Sequence, residues 1–137
     1  MNFTEKEQQA QNFITTLNGI VLKIDQNETD VANNTSMTTA PHSLRSELLL
    51  LHGEISKFAT EQLPSLTLDE FKKLPTTDTG RKYKIGTVVI SGGEASPLNI
   101  LRHNIEQAFK STVDRFNQHV VNLRPMYYPQ IPDTINL

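Results

Sequence analysis

Three long segments of the chain carry apolar residues at alternating spacings of three and four, and this pattern limits the fold most. Such spacing places the apolar side chains on one face of a helix. In the first segment they are Ala10, Phe13, Leu17, Ile20 and Ile24. In the second the stripe is Leu44, Leu48, Leu51, Ile55 and Phe58, followed by the polar Gln62 at the same spacing. In the third the stripe is Leu98, Leu101, Ile105, Ala108, Thr112, Phe116, either His119 or Val120, and Leu123, with Thr112 and His119 as its polar members. The sequence therefore predicts a mainly α bundle of three long amphipathic helices.

Local signals predict where these helices begin and end. Thr4 and Glu7 have the spacing of a capping box, so we expect the first helix to begin there. The second is expected to run from about Ser43 to Leu63. The third is expected to run from Pro97, behind a Ser96 cap, to about Leu123, with Pro125 ending it.

The segments between the helices suggest smaller elements. Residues 25–42 lose periodicity and are rich in turn-forming Asn, Asp and Thr, which predicts a long polar loop. A second capping box predicts a short fourth helix over residues 67–74. Two β-prone stretches flank Gly86-Thr87, which predicts a small hairpin over residues 82–91.

The last residues, 125–137, are expected to form an extended arm outside a single helical-bundle domain at residues 1–124. Three prolines within eight positions disfavour helix in this C-terminal arm. The arm nevertheless keeps the apolar residues Met126, Tyr127, Tyr128, Ile131, Ile135 and Leu137. Disordered tails are usually poor in such residues. We expect the arm to dock either on its own bundle or on a neighbouring subunit.

Composition narrows the classes of function. The 137 residues include no cysteine, which removes disulfides, thiolate catalysis and cysteine zinc sites. A net charge of −2 argues against a bulk electrostatic binder of nucleic acid. No signal sequence or membrane-spanning run is visible, so we expect a cytoplasmic protein, or a virion protein in an infected cell, that is not secreted and needs no membrane.

Charge is distributed unevenly along the chain. Residues 1–70 contain ten acidic and four basic side chains, a net charge of −6. Residues 71–84 have a net charge of +4. The basic residues of this region are Lys72, Lys73, Arg81, Lys82 and Lys84. This basic region predicts contact with an acidic protein partner, or alternatively a solvated edge.

Few residues have the spacing of a catalytic or metal site. The four histidines show no pairing at helical spacing and are interpreted as surface or boundary residues. Glu47, Glu54 and Glu61 share a helix face, but the pattern is typical of a solvated face. The Gly92-Gly93 turn lacks a phosphate-binding motif and is interpreted as a connection. The sequence assigns no catalytic, cofactor-binding or metal-ligating residue, and we expect no enzymatic activity.

Three hypotheses of function follow, in this order. The first is a structural or assembly protein that forms a homo-oligomer, or joins other protein subunits, through its helices and C-terminal arm. This plan is similar, by architectural analogy only, to small viral connector and virion-assembly proteins. The second is a regulatory or inhibitory module that uses the basic region on an acidic partner. The third is a metal-dependent hydrolase using Glu47, Glu54 and Asp114.

Overall fold

The computed structural model describes residues 1–64, 82–85, 88–91, 95–127 and 129–137. These residues form three helices, α1 (Phe3–Ala32), α2 (Pro41–Gln62) and α3 (Ala95–Tyr127). The prediction of a mainly helical protein with three long helices is therefore confirmed. The expected short helix at 67–74 lies outside the described residues.

Two short strands precede α3. They are β1 (Lys82–Ile85) and β2 (Val88–Ser91), which pair in antiparallel register with Lys82 opposite Ser91 and Ile85 opposite Val88. The expected turn residues, Gly86 and Thr87, lie outside the described residues. β2 lies next to α2, so the strand pair sits beside the second helix.

Helices α1 and α2 run in opposite directions. The Phe13 and Phe58 rings stack at a tilt with centroids 5.6 Å apart, near the start of α1 and the end of α2. Towards the other end, Lys23 Nζ lies 3.3 Å from a carboxylate oxygen of Glu47. Residues near the start of α1 thus contact residues near the end of α2, so the two helices are antiparallel.

Helix α3 runs antiparallel to α2 and therefore parallel to α1. The rings of His52 and Phe109 lie 5.5 Å apart in the middle of the two helices. At the far end of α2, Arg102 donates a hydrogen bond to the carbonyl of Pro64 at 3.4 Å. The bundle is accordingly up-down-up, with its most extensive interface between α1 and α3.

One continuous core fills the space between the helices. It contains most of the residues that the apolar spacing selects. They include Phe13, Leu17, Ile20, Ile24, Leu44, Leu48, Leu51, Ile55, Phe58, Leu98, Ile105, Phe116, Val120 and Leu123. Polar faces alternate with these stripes, and no helix in the described part of the chain is long and apolar enough to cross a bilayer.

The cap of α1 lies two residues earlier than the sequence predicted. Asn2 Oδ1 accepts the Glu5 N–H at 2.8 Å, and the Asn2 N–H donates to the Glu5 carboxylate at 3.4 Å. The expected Thr4–Glu7 capping box is therefore wrong. Both pairs have the same three-residue spacing, and Asn is at least as good an N-cap as Thr.

The polar loop predicted at 25–42 is also wrong over its first half, because α1 continues to Ala32. Two residues after the helix ends, Asn34 adopts the left-handed conformation with φ 56. The Thr35 N–H bonds to the Asp30 carbonyl and the Asn34 N–H to the Val31 carbonyl, as in a Schellman motif. The buried positions of this last stretch are occupied by Asn27 and Asp30, so the helical stripe continues with polar residues that an apolar pattern does not detect.

Helix α3 also extends beyond its predicted end, since Pro125 lies inside it. Residues 125–127 of the expected arm are helical. Proline removes one hydrogen bond, here to the carbonyl of Val121. Pro125 and Val121 both lie on the exposed side of the last turns, where water can replace the lost donor.

Candidate functional site

The end of the chain packs back on its own bundle. Residues 129–137, here called the terminal segment, follow α3 and bury two isoleucines in the core. Ile131 is 6% exposed and Ile135 is 3% exposed. Burying each of these side chains stabilises docking by about 1.5–3 kcal/mol. The sequence predicts docking either on the chain's own bundle or on a neighbouring subunit. In the single chain the segment docks on its own bundle.

Asn117 of α3 forms two hydrogen bonds with the main chain of the terminal segment. Its side-chain amide donates to the Ile135 carbonyl at 2.9 Å, and its carbonyl oxygen accepts the Ile135 N–H at 2.7 Å. One side chain thus satisfies both main-chain groups of the same residue, much as a neighbouring β-strand would. This pairing fixes which residue of the segment points into the core.

Two arginines bind main-chain carbonyls further along the segment. Arg45 of α2 donates through Nε to the Asp133 carbonyl at 3.0 Å. Arg124 of α3 donates to the Pro132 carbonyl at 3.1 Å. Bonds from charged donors are stronger than neutral ones. Since Arg45 and Arg124 belong to different helices, the segment lies in the groove between α2 and α3, which we call the docking groove.

The docking groove continues towards the middle of the bundle. Leu137 remains 68% exposed beside His52 and Phe109, at the edge of a recess of about 390 Å³. Ile135 and Val113 line a second recess beside the segment. The terminal segment therefore runs antiparallel to α3, from the N-terminal end of α2 to the level of His52.

The predicted interaction residues of the C-terminal arm differ in secondary structure and in burial. Met126 is helical and 61% exposed, whereas Tyr127 is helical and packs partly against the core. Ile131 and Ile135 are buried within the chain. Tyr128 lies outside the described residues.

The basic region is described only in part. Lys82 and Lys84 lie on β1. Lys72, Lys73 and Arg81 lie outside the described residues. Its contact with an acidic partner stays a prediction.

Sequence reasoning missed the residues that hold the terminal segment. Asn117, Arg45 and Arg124 lie on polar helix faces with no motif around them. Their partners are main-chain atoms, whose positions depend on the tertiary fold. Only the apolar content of the segment signalled that a docking place exists.

A second group of polar side chains lies at the opposite side of α3. Asn27 is fully buried and pairs with Thr39 in the connection between α1 and α2. Asn27 Nδ2 donates to the Thr39 carbonyl at 2.6 Å, and Asn27 Oδ1 accepts the Thr39 N–H at 3.0 Å. Three residues later, the Asp30 carboxylate accepts the Thr38 N–H at 2.8 Å and the Thr38 hydroxyl at 2.7 Å. We call residues 35–39, which these bonds hold, the α1–α2 connection.

Charged groups join α1 to α3 beside this connection. Arg115 donates to both carboxylate oxygens of Glu28, at 2.9 and 2.6 Å, and to Asp25 at 2.9 Å. The Arg115 hydrogen bond is the main reason that the pKa of Glu28 lies below its ordinary value. The same contact raises the pKa of Arg115, so the pair stays ionised at neutral pH.

His119 completes this group and is fully buried, so its interpretation as a surface or boundary residue is wrong. Its Nε2 lies 3.4 Å from Asn27 Nδ2. Because the Asn27 amide is oriented by Thr39, Nδ2 is a donor and Nε2 must accept. The ring proton then belongs on Nδ1, which lies 3.4 Å from Glu28 Oε1 without a well-aligned hydrogen bond. Burial lowers the pKa of His119, in keeping with a neutral ring.

The carboxylates that a metal-dependent hydrolase was expected to use, those of Glu47, Glu54 and Asp114, do not come together in a cluster. Glu47 pairs with Lys23, while Glu54 and Asp114 are exposed on α2 and α3. Within the described ranges, no three side chains of the metal-binding types come together. Gly92 and Gly93 lie outside those ranges.

Comparison with known proteins gave no relative. No family model, curated protein or solved structure matches the chain. Function must therefore be argued from the geometry of the docking groove and of the buried polar group.

Proposed function

We propose that the protein is a non-enzymatic assembly protein whose copies associate by exchanging their terminal segments. The observation that supports this proposal is the way the docking groove holds residues 129–137. Asn117 and Arg45 bind main-chain atoms of the segment, and the core receives Ile131 and Ile135. None of these contacts requires that the segment belong to the same chain.

The link between α3 and the terminal segment is short and accessible. Pro129 and Gln130 are exposed, and the Gln130 N–H donates to the Tyr127 carbonyl at 2.8 Å. Opening this turn costs few contacts. A segment that enters the groove of a second copy regains the same hydrogen bonds and the same buried area, as in domain swapping. Exchange is therefore governed mainly by protein concentration.

Reciprocal exchange gives a closed dimer as the smallest assembly. Each copy donates one terminal segment and accepts one, so both docking grooves are filled. One-way exchange along a row of copies would instead build an open chain. Both outcomes serve assembly, and both depend on Ile131 and Ile135 entering the docking groove.

Light scattering at increasing concentration tests this function. We expect the wild-type mass to rise from 15.5 kDa towards twice that value. Ile135→Asp would place a carboxylate at a position that is 3% exposed, so the variant is expected to remain monomeric. The matched control is Leu137→Asp, at a position that is 68% exposed in the same segment, and it should associate like the wild type.

Two results would count against this function. A wild-type chain that stays at 15.5 kDa throughout the concentration series does not self-associate. An Ile135→Asp variant that associates as well as the wild type uses another surface.

A further inference from the structure

The buried group around His119 has a feature that the assembly proposal does not use. His119 is fully buried, titratable, and joined through Asn27 to the α1–α2 connection. Its Nδ1 has no well-aligned hydrogen-bond partner among the described residues. Nδ1 faces the Glu28 carboxylate at 3.4 Å instead, so a buried titratable ring lies beside a charged group without a well-formed hydrogen bond.

The hydrogen bonds of Asn27 are compatible with only one protonation state of the ring. Asn27 Nδ2 carries two protons, of which one is donated to the Thr39 carbonyl and the other points towards His119 Nε2. A proton added to Nε2 would face that second amide proton. Two donors would then meet at 3.4 Å in a site that water does not reach.

A rotation of the Asn27 amide does not relieve this conflict. Exchanging its oxygen and nitrogen would let the oxygen accept from a protonated Nε2. The same exchange would set that oxygen against the Thr39 carbonyl and the NH2 group against the Thr39 N–H. Both main-chain bonds of Thr39 would be lost, so His119 can gain its proton only if Thr39 gives up its bonds to Asn27.

We propose that His119 is a proton-controlled latch, whose protonation releases Thr39 of the α1–α2 connection from Asn27.

The charged groups around the His119 ring have opposite effects on its protonation. On α1, Glu28 lies 3.4 Å from Nδ1 and favours the protonated ring. On α3, Arg115 disfavours it and shares the same Glu28 carboxylate. Asp25 is held by Arg115, and Asp30 is held by Thr38 and Gln26. Among the described residues of α2 and the connection, none forms an ion pair with His119.

The pH window follows from the direction of the shifts. Burial lowers the pKa of folded His119 below the value of about 6.5 that an unfolded chain has. The opened state therefore binds more protons than the closed state once pH falls below about 6.5. Glu28 and Asp30 also have lowered pKa values, but their contributions are lost only below about 4.5 and 3.8. Between pH 6.5 and about 5, the latch depends on His119.

Amide hydrogen exchange on the full chain tests the latch. After correction for intrinsic exchange, protection of the Thr39 amide should fall at least about tenfold between pH 7 and pH 5, because the released state binds more protons than the closed state over this range. Core amides of α1, such as that of Leu17, should keep their protection. An NMR titration of the His119 ring should give the same midpoint as the loss at Thr39.

A set of glutamine variants identifies the histidine responsible. His119→Gln keeps an acceptor for Asn27 but does not titrate, so Thr39 protection should become independent of pH in this window. The exposed residues His42 and His103 provide matched controls, and their glutamine variants should keep the wild-type response.

Three results would overturn the latch. Thr39 could keep its protection while the His119 ring becomes protonated. His119→Gln could show the same pH response as the wild type, measured either by exchange or by the NMR signal of Thr39. Finally, core amides of α1 could lose protection together with Thr39, which would show global acid unfolding instead of local release.

Discussion

Phe116→Ala is expected to lower the free energy of unfolding by about 3–5 kcal/mol, the usual cost of removing a buried aromatic side chain. Phe116 is fully buried on α3, in the interface that joins all three helices in one core. A domain of this size is stable by only about 5–15 kcal/mol, so the variant should be close to unfolding at room temperature.

Urea denaturation followed by circular dichroism measures this loss. The matched control is Ile100→Ala, since Ile100 lies on the same helix and is 56% exposed. That control should change the free energy of unfolding by less than about 0.5 kcal/mol. Equal losses for the two variants would contradict the position of the core.

Asn27→Leu is expected to cost about 2–4 kcal/mol, although leucine has nearly the same size and is the more apolar residue. The substitution leaves the Thr39 N–H and carbonyl without their partner and removes the donor that faces His119 Nε2. Each orphaned buried group costs about 1–3 kcal/mol. The loss should be greatest in the α1–α2 connection.

The control for this variant is Asn18→Leu, on the exposed face of the same helix. Both changes add the same apolar group to α1, but only Asn27 is buried and bonded to Thr39 and His119. Thermal unfolding should show a clear drop for Asn27→Leu and almost none for Asn18→Leu. A stabilised Asn27→Leu variant would mean that the buried pair contributes little.

The apolar spacing of the sequence was sufficient to predict the three helices and most of their buried faces. It failed where polar residues take core positions. The buried polar side chains are those of Asn27, Asp30 and His119, and each has a hydrogen-bonding or charged partner. Most of these partners are distant in the sequence, so the pairings cannot be recognised before the chain is folded. The end of α1 was therefore placed too early.

The C-terminal region shows a different limit of sequence reasoning. Residues 129–137 form neither helix nor strand, whereas Pro125 is accommodated in the last turn of α3 because its lost bond faces solvent. The apolar residues of the arm predicted docking without specifying the surface. Asn117 and Arg45, which determine it, bind main-chain atoms and so leave no pattern in the sequence.

The central claim is that the terminal segment of one copy fills the docking groove of another, and mixing two defective full-length variants tests it most directly. Ile135→Asp damages the segment but leaves its groove intact. Asn117→Leu damages the groove, because the Ile135 N–H and carbonyl lose their partner, but leaves the segment intact.

In the mixture, the intact segment of the Asn117→Leu chain can enter the intact groove of the Ile135→Asp chain. Light scattering should therefore find each variant alone at 15.5 kDa and the equimolar mixture as a one-to-one dimer of twice that mass. A mixture that stays at the monomer mass, or a single variant that dimerises as the wild type does, would contradict exchange of the terminal segment.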